Sequence, residues 1–93
     1  MNKTYWTIGG NFRPRPHSSV AAAIATGNHW DRTVARCHPG TGAGVDAYIV
    51  SQRGDDFEFR GLVCGRKLIG ENFSCGDSLI ERVREFATQE AAR

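Results

Sequence analysis

Alternation of apolar and polar residues along the chain predicts β-strands. Thr4–Ile8 places its aromatic and β-branched side chains on alternate sides, and Asp56–Arg60 alternates in the same way, with an extension through Cys64. The turn residues that precede Asp56 predict a hairpin with the strand before it. Further strands are predicted in three segments of high β-propensity, which are Arg32–Cys37, Val45–Ser51 and Arg66–Ile69.

Two segments have the residue spacing of helices. The serine pair before Val20 can cap a short helix over Val20–Thr26, and Gly27 follows where a left-handed terminating residue would lie. Near the C-terminus, Ser78 and Glu81 have the spacing of a capping box. The apolar residues of this second helix share one face and are Leu79, Ile80, Val83, Phe86 and Ala87.

These elements together predict one α+β domain over residues 1–93. We expect an antiparallel sheet of four to five strands, with the short N-terminal-half helix and the C-terminal amphipathic helix packed on one face. The segment Arg13–Pro16 alternates arginine and proline, and proline cannot continue a helix or a central strand. We therefore predict an extended connector at this point.

The composition is that of a folded globular chain. Of the 93 residues, 40% are hydrophobic and 24% are charged, and this length provides a single core. The longest apolar stretch, Val20–Ala25, is much shorter than the roughly 20 residues that a membrane span needs. The N-terminus also lacks the apolar region of a secretory signal, so we expect a cytoplasmic protein with no membrane contact. A net charge of +2 is too small to predict a nucleic-acid partner by itself.

Metal and phosphate sites are considered first among the candidate chemistries. The glycine-rich segment Gly40–Gly44 invites comparison with a phosphate-binding loop, but it lacks the following lysine and helix, so an inter-strand loop is favoured. Four residues could ligate zinc, yet their spacing does not match the paired ligands of structural zinc sites. They are Cys37, His38, Cys64 and Cys75. We predict no metal and no cofactor, and the odd number of cysteines predicts free thiols.

A cysteine nucleophile is the remaining catalytic hypothesis. Cys37 and His38 are adjacent, and adjacent residues on a strand point to opposite faces. His17 or His29 could approach the thiol only through the tertiary fold. The residues carry no catalytic motif, and we expect a protein that is not an enzyme.

Arginine and aromatic residues form the main candidate for a binding surface. We predict partner contacts at Arg13, Arg15, Trp30 and Arg53, because arginine and tryptophan are enriched among residues that carry interface energy. The same arginines could instead bind phosphates while Trp30 stacks on a base, so a small nucleic-acid-binding protein stays open as an alternative. A homodimer is open as well, through an exposed edge strand or the C-terminal helix.

The N-terminal residues also suggest a family. Met1–Tyr5, followed by Ile8-Gly9 and Asn11, resembles the N-terminus of phage-encoded anti-CRISPR proteins that inhibit a Cas9 nuclease. The resemblance covers about the first tenth of the chain. It implies a stoichiometric inhibitor in the cytoplasm of a bacterial host cell, which occludes a larger protein or ribonucleoprotein complex.

Overall fold

The α+β fold class is confirmed, with two helices and a five-stranded antiparallel sheet. The computed structural model describes residues 3–9, 12–37, 40, 46–70 and 76–91. Within these residues the elements follow in the order β1 (Thr4–Gly9), β2 (Arg15–His17), α1 (Val20–Cys37), β3 (Ala47–Arg53), β4 (Asp56–Cys64), β5 (Lys67–Ile69) and α2 (Gly76–Ala91).

The sheet has the strand order β2-β1-β3-β4-β5. The β3–β4 hairpin is confirmed, with Arg53 paired to Asp56 across the predicted turn. A register shift between Ile49 and Val50 leaves Arg60 of β4 without a partner position on β3, so the alternation of β4 restarts at Gly61. Residues 13–16 were predicted as an extended connector; Arg15 and Pro16 instead belong to the edge strand β2, where Pro16 lies opposite Trp6. Proline has no N–H to donate to a neighbouring strand. An edge strand accommodates it because one side of that strand has no neighbour to pair with.

One face of the sheet packs against α2. Trp6 and Ile8 of β1 form a buried cluster with Val50 of β3 and with Leu79 and Val83 of α2. The Trp6 indole meets the ring of Phe86 edge to face at 5.9 Å between centroids, and its Nε1 donates to Gln52 Oε1 at 2.7 Å. The amphipathic face predicted for the C-terminal helix is therefore the face that builds this core.

The opposite face packs against α1. Thr7, which lies between Trp6 and Ile8 and so points the other way, donates its hydroxyl to the carbonyl of Ala23 at 2.8 Å. The placement of both helices on one face was wrong. The central strand β3 is apolar toward both faces, since Ala47 and Ile49 are as buried as Val50, and each face therefore needs a helix to cover it.

The predicted strand over Arg32–Cys37 was also wrong, because α1 continues through it. Gly27 does not end the helix but packs in its middle, where a Cβ would lie 3.0 Å from the side chains of Ala47 and Val63. The buried positions Ala23, Gly27 and Trp30 follow one another at helical spacing, and half-buried Val34 continues the series. Sheet contact along this stripe outweighs the β-propensity of the later residues.

Two smaller boundaries differ from the prediction. Helix α2 begins at Gly76, so Ser78 lies inside its first turn rather than at its cap, and Glu81 pairs with Arg84 at 2.6 Å instead of completing a capping box. The predicted start of the third strand at Val45 lies outside the described residues, and the strand runs two residues further than predicted, to Arg53.

Candidate binding surface

The four residues predicted for partner binding do not form one surface. Arg13 and Arg15 are exposed, beside and within the edge strand β2. Arg53 is exposed at the far end of β3. Arg15 lies opposite Thr7 of β1, and Gln52, the neighbour of Arg53, lies opposite Thr4. Arg15 and Arg53 are therefore separated by about four residues, or roughly 13 Å, along the strands.

Trp30 is removed from the surface by its own packing. Its indole is 8% exposed and stacks on the Phe12 ring, with 4.5 Å between centroids and 8° between planes. The stacked pair lies against Gly9 of β1. The alternative hypothesis requires a nucleic-acid base to stack on Trp30. The buried indole has no exposed ring face for such a base.

The cysteine and metal hypotheses find no support in the geometry of the described residues. Cys37 is exposed at the end of α1, and His29 lies eight residues earlier on the same helix, about 12 Å along its axis. Within the described ranges no three potential ligands lie together for a metal ion. Residues 41–44 of the predicted loop Gly40–Gly44, together with His38 and Cys75, lie outside the described residues; Cys64 is a free, exposed thiol.

His17 carries the described buried side-chain nitrogen that has no hydrogen-bond partner, Nε2. Burial lowers the pKa of this histidine below its usual value, and the neighbouring positive charge of Arg15 lowers it further. The imidazole is thus held toward its neutral form at the edge of the sheet. The lowered pKa links protonation of His17 to the stability of the folded state.

A groove that was not predicted runs along α1. It has a volume of about 490 Å³ and lies between the first half of the helix and the β4–β5 turn. We name it the α1 groove, and its lining consists of Val20, Ala21, Ile24, Ala25, Asn28 and Arg66. Val20 is 38% exposed, and Ala21 and Ala25 are exposed as well, so the helix presents apolar side chains to solvent here.

A sequence signal for this groove exists. Residues 20–25 are all apolar, whereas a helix that covers a sheet needs apolar residues on one stripe alone. The sequence predicted only a short helix over Val20–Thr26. In the 18-residue helix that forms, one stripe is buried against the sheet, and most of the apolar side chains of residues 20–25 are exposed.

A second groove, of about 400 Å³, lies between the β3–β4 turn and the second half of α2. Two of its polar side chains, Arg84 and Gln52, already make contacts within the chain. Arg84 pairs with Glu81 and lies 5.2 Å above the ring of Phe57, while Gln52 bonds to Trp6 and to the carbonyl of Gly54. A ligand in this groove would have to displace those contacts, which the α1 groove does not require.

Comparison with known proteins gives no relative, since no family model, no curated protein and no solved structure matches the chain. In the part of the chain that the structure describes, neither helix is long and apolar enough to cross a membrane.

Proposed function

We propose that this protein is a non-catalytic protein-binding module that acts by stoichiometric occlusion of a larger protein. The observation that carries the proposal is the exposed apolar face of α1 in the α1 groove. Single exposed apolar residues are common on protein surfaces, and what supports a partner contact here is that several of them lie next to one another in a groove. Val20, Ala21 and Ala25 are exposed together, and Ile24 is half-buried between them.

The groove is built on a rigid support. Three contacts hold α1 to the sheet: the hydrogen bond from Thr7 to Ala23, the close approach of Gly27 to β3 and β4, and the stacked ring of Trp30. A partner therefore meets a preformed surface and does not have to order it, which reduces the entropy lost on binding.

The exposed arginines of the β2 edge would lie outside this contact. Arg13, Arg15 and Arg53 remain the predicted points for additional polar contacts with the same partner, with Arg53 about four residues further along the strands than Arg15. The resemblance of the N-terminal residues to anti-CRISPR proteins supports one class of target, an RNA-guided nuclease complex of a bacterial host. Inhibition of such a complex is the specific form of the proposal.

Paired substitutions on α1 test the proposal. The tagged wild-type chain, the variant Ala21→Gln/Ala25→Gln and the variant Ala22→Gln are used to capture proteins from a nuclease-treated bacterial lysate. Ala22 is exposed on the same helix but outside the groove, so it controls for effects on the helix itself. We expect a protein captured in fixed stoichiometry by the wild type and by Ala22→Gln, and lost with the double variant.

Native mass spectrometry of the captured complex gives the stoichiometry, and activity of the purified partner with and without the chain tests occlusion. Equal capture by all three chains would refute the assignment of the α1 groove. In a parallel capture without nuclease, retention of nucleic acid alone, and only at low salt, would favour the nucleic-acid alternative, because phosphate contacts weaken steeply as salt rises.

A further inference from the structure

The sheet is wider than α1, which leaves space beside the helix for an occupant of the α1 groove. Five strands spaced about 4.8 Å apart span roughly 19 Å, whereas one helix with its side chains is about 10 Å wide. α1 packs mainly against β1 and β3 on its face. The groove lies toward the β4–β5 side of α1, where a second helix of the same layer would lie.

The lining residues have the arrangement of a helix-packing surface. Val20, Ile24 and Asn28 form one row at four-residue spacing, and Ala21 and Ala25 form the next. Rows of this spacing pack into the grooves of a neighbouring helix, and alanine allows the two backbones to approach closely. From Val20 to Asn28 the row extends about 12 Å, which is a little over two helical turns.

The charge of the groove is positive. Arg66 is the charged residue of its lining, and Lys67, next in the chain, is exposed. The first turn of α1, which begins at Val20, contains no acidic residue to offset the positive end of the helix dipole. A second copy of this chain would bring the same lining, with Arg66 and no carboxylate, so charge disfavours a homodimer through this face and favours an acidic partner.

We propose that the α1 groove binds an amphipathic helix of the partner protein, whose apolar stripe is flanked by glutamate or aspartate. This inference rests on the proposed function and specifies the chemistry of the partner segment. Apolar side chains of the partner at four-residue spacing contact Val20 and Ile24 across the two alanines. A flanking carboxylate pairs with Arg66.

Two designed peptides test the proposal with the full chain. Both are about four helical turns long and carry the same leucine stripe, and the flanking positions are glutamate in one and lysine in the other. Fluorescence anisotropy of the labelled peptides measures affinity. We expect the glutamate peptide to bind at least about tenfold more tightly at low salt, since like charges across an interface oppose binding.

Charge reversal provides the matched control. Arg66→Glu is expected to reverse the order of the two peptides, whereas Arg53→Glu, an equal charge change at an exposed residue away from the groove, is expected to leave it unchanged. Circular dichroism confirms that each variant is folded. Ala25→Gln is expected to weaken both peptides, and Ala22→Gln neither.

The outcomes separate this inference from the proposed function. Equal affinity of the two peptides, sensitive to Ala25→Gln, would overturn the acidic flank while supporting the groove as a protein-binding surface. Failure of both peptides to bind would overturn a helical occupant, and the capture experiment would still decide whether the chain binds a protein through α1. A dimer in sedimentation analysis that Ala25→Gln dissociates would identify a second copy as the occupant and overturn the proposal.

Discussion

Gly27→Ala tests the closest contact between α1 and the sheet. In an exposed helix interior this substitution stabilises a protein by about 1 kcal/mol, because alanine is the better helix former. Here the new Cβ would lie 3.0 Å from Ala47 Cβ and from Val63 Cγ2, and 3.3 Å from Val63 Cβ. These distances are well inside the normal separation of about 3.5–4.0 Å between carbon atoms.

The neighbours of Gly27 have little freedom to move away. Ala47 is 2% exposed and lies on the central strand β3, paired on both sides, and both contacted Cβ atoms are fixed by their backbones. Overpacking of this kind costs about 1–3 kcal/mol. After the gain in helix propensity is subtracted, we expect Gly27→Ala to lower the free energy of unfolding by about 1 kcal/mol, which is a Tm decrease of about 4–8 °C for a domain of this size.

Chemical denaturation measures the change, and a double-mutant cycle identifies its cause. In a Val63→Ala background the Cγ2 contact is gone, so Gly27→Ala is expected to be less destabilising than in the wild type by several tenths of a kcal/mol or more. A gain of the full 1 kcal/mol in the wild-type background would refute the close packing of α1 on β3 and β4. A double-mutant cycle that shows no coupling between Gly27→Ala and Val63→Ala would refute this packing as well.

Three further predictions concern the core and the sheet edge. Val83→Ala removes two methyl groups from a fully buried side chain and is expected to lower the free energy of unfolding by about 2 kcal/mol. Val20→Ala, at a 38% exposed residue, should change this free energy by less than about 0.5 kcal/mol, and urea denaturation compares the two variants. Thr7→Val removes the buried hydroxyl donor, while the Ala23 carbonyl keeps its hydrogen bond within α1, so we expect a loss of about 0.5–1.5 kcal/mol by the same assay, and no loss would contradict the hydrogen bond. The pKa of His17 is lowered in the folded state, by burial first and then by Arg15, so the unfolded chain binds a proton at this residue more readily. The stability is therefore expected to be fully present above the ordinary histidine pKa of about 6.5 and to decline as the pH falls below it. His17→Gln should flatten this decline in Tm against pH, and an unchanged profile would assign it to other groups.

The alternation of Asp56–Arg60 predicted its strand because the period of two is unaffected by which helix covers the sheet. The segment Arg32–Cys37 was mispredicted because its β-propensity is a local preference, whereas its state is decided by distant contacts. Trp30 packs on Phe12 and Gly27 packs on β3, and these contacts carry the helix beyond the glycine. Phe12 and β3 are both distant from residues 32–37 in sequence, so a prediction from neighbouring residues alone does not detect these contacts.

The placement of the helices could have been predicted from β3. The run Ala47-Tyr48-Ile49-Val50 has no polar residue on either side of the strand, and such a continuous apolar run indicates a strand that is covered on both faces. The prediction of one covered face therefore conflicted with the chain's own pattern. The arginines of the candidate surface could be predicted as exposed, but their separation along the sheet depends on strand register, which composition does not contain.

The same side chains do not serve both folding and the proposed binding. The sheet is covered through Ala23, Gly27 and Trp30, and each is buried, whereas Val20 and Ala25 on the adjacent face of α1 are exposed. Substitutions in the first group should therefore change stability, and substitutions in the second should change partner affinity with little effect on stability. If Val20→Ala and Ala25→Gln instead lowered the Tm as much as a core substitution, the exposed face of α1 would be part of the chain's own packing, and the α1 groove would not be a binding surface.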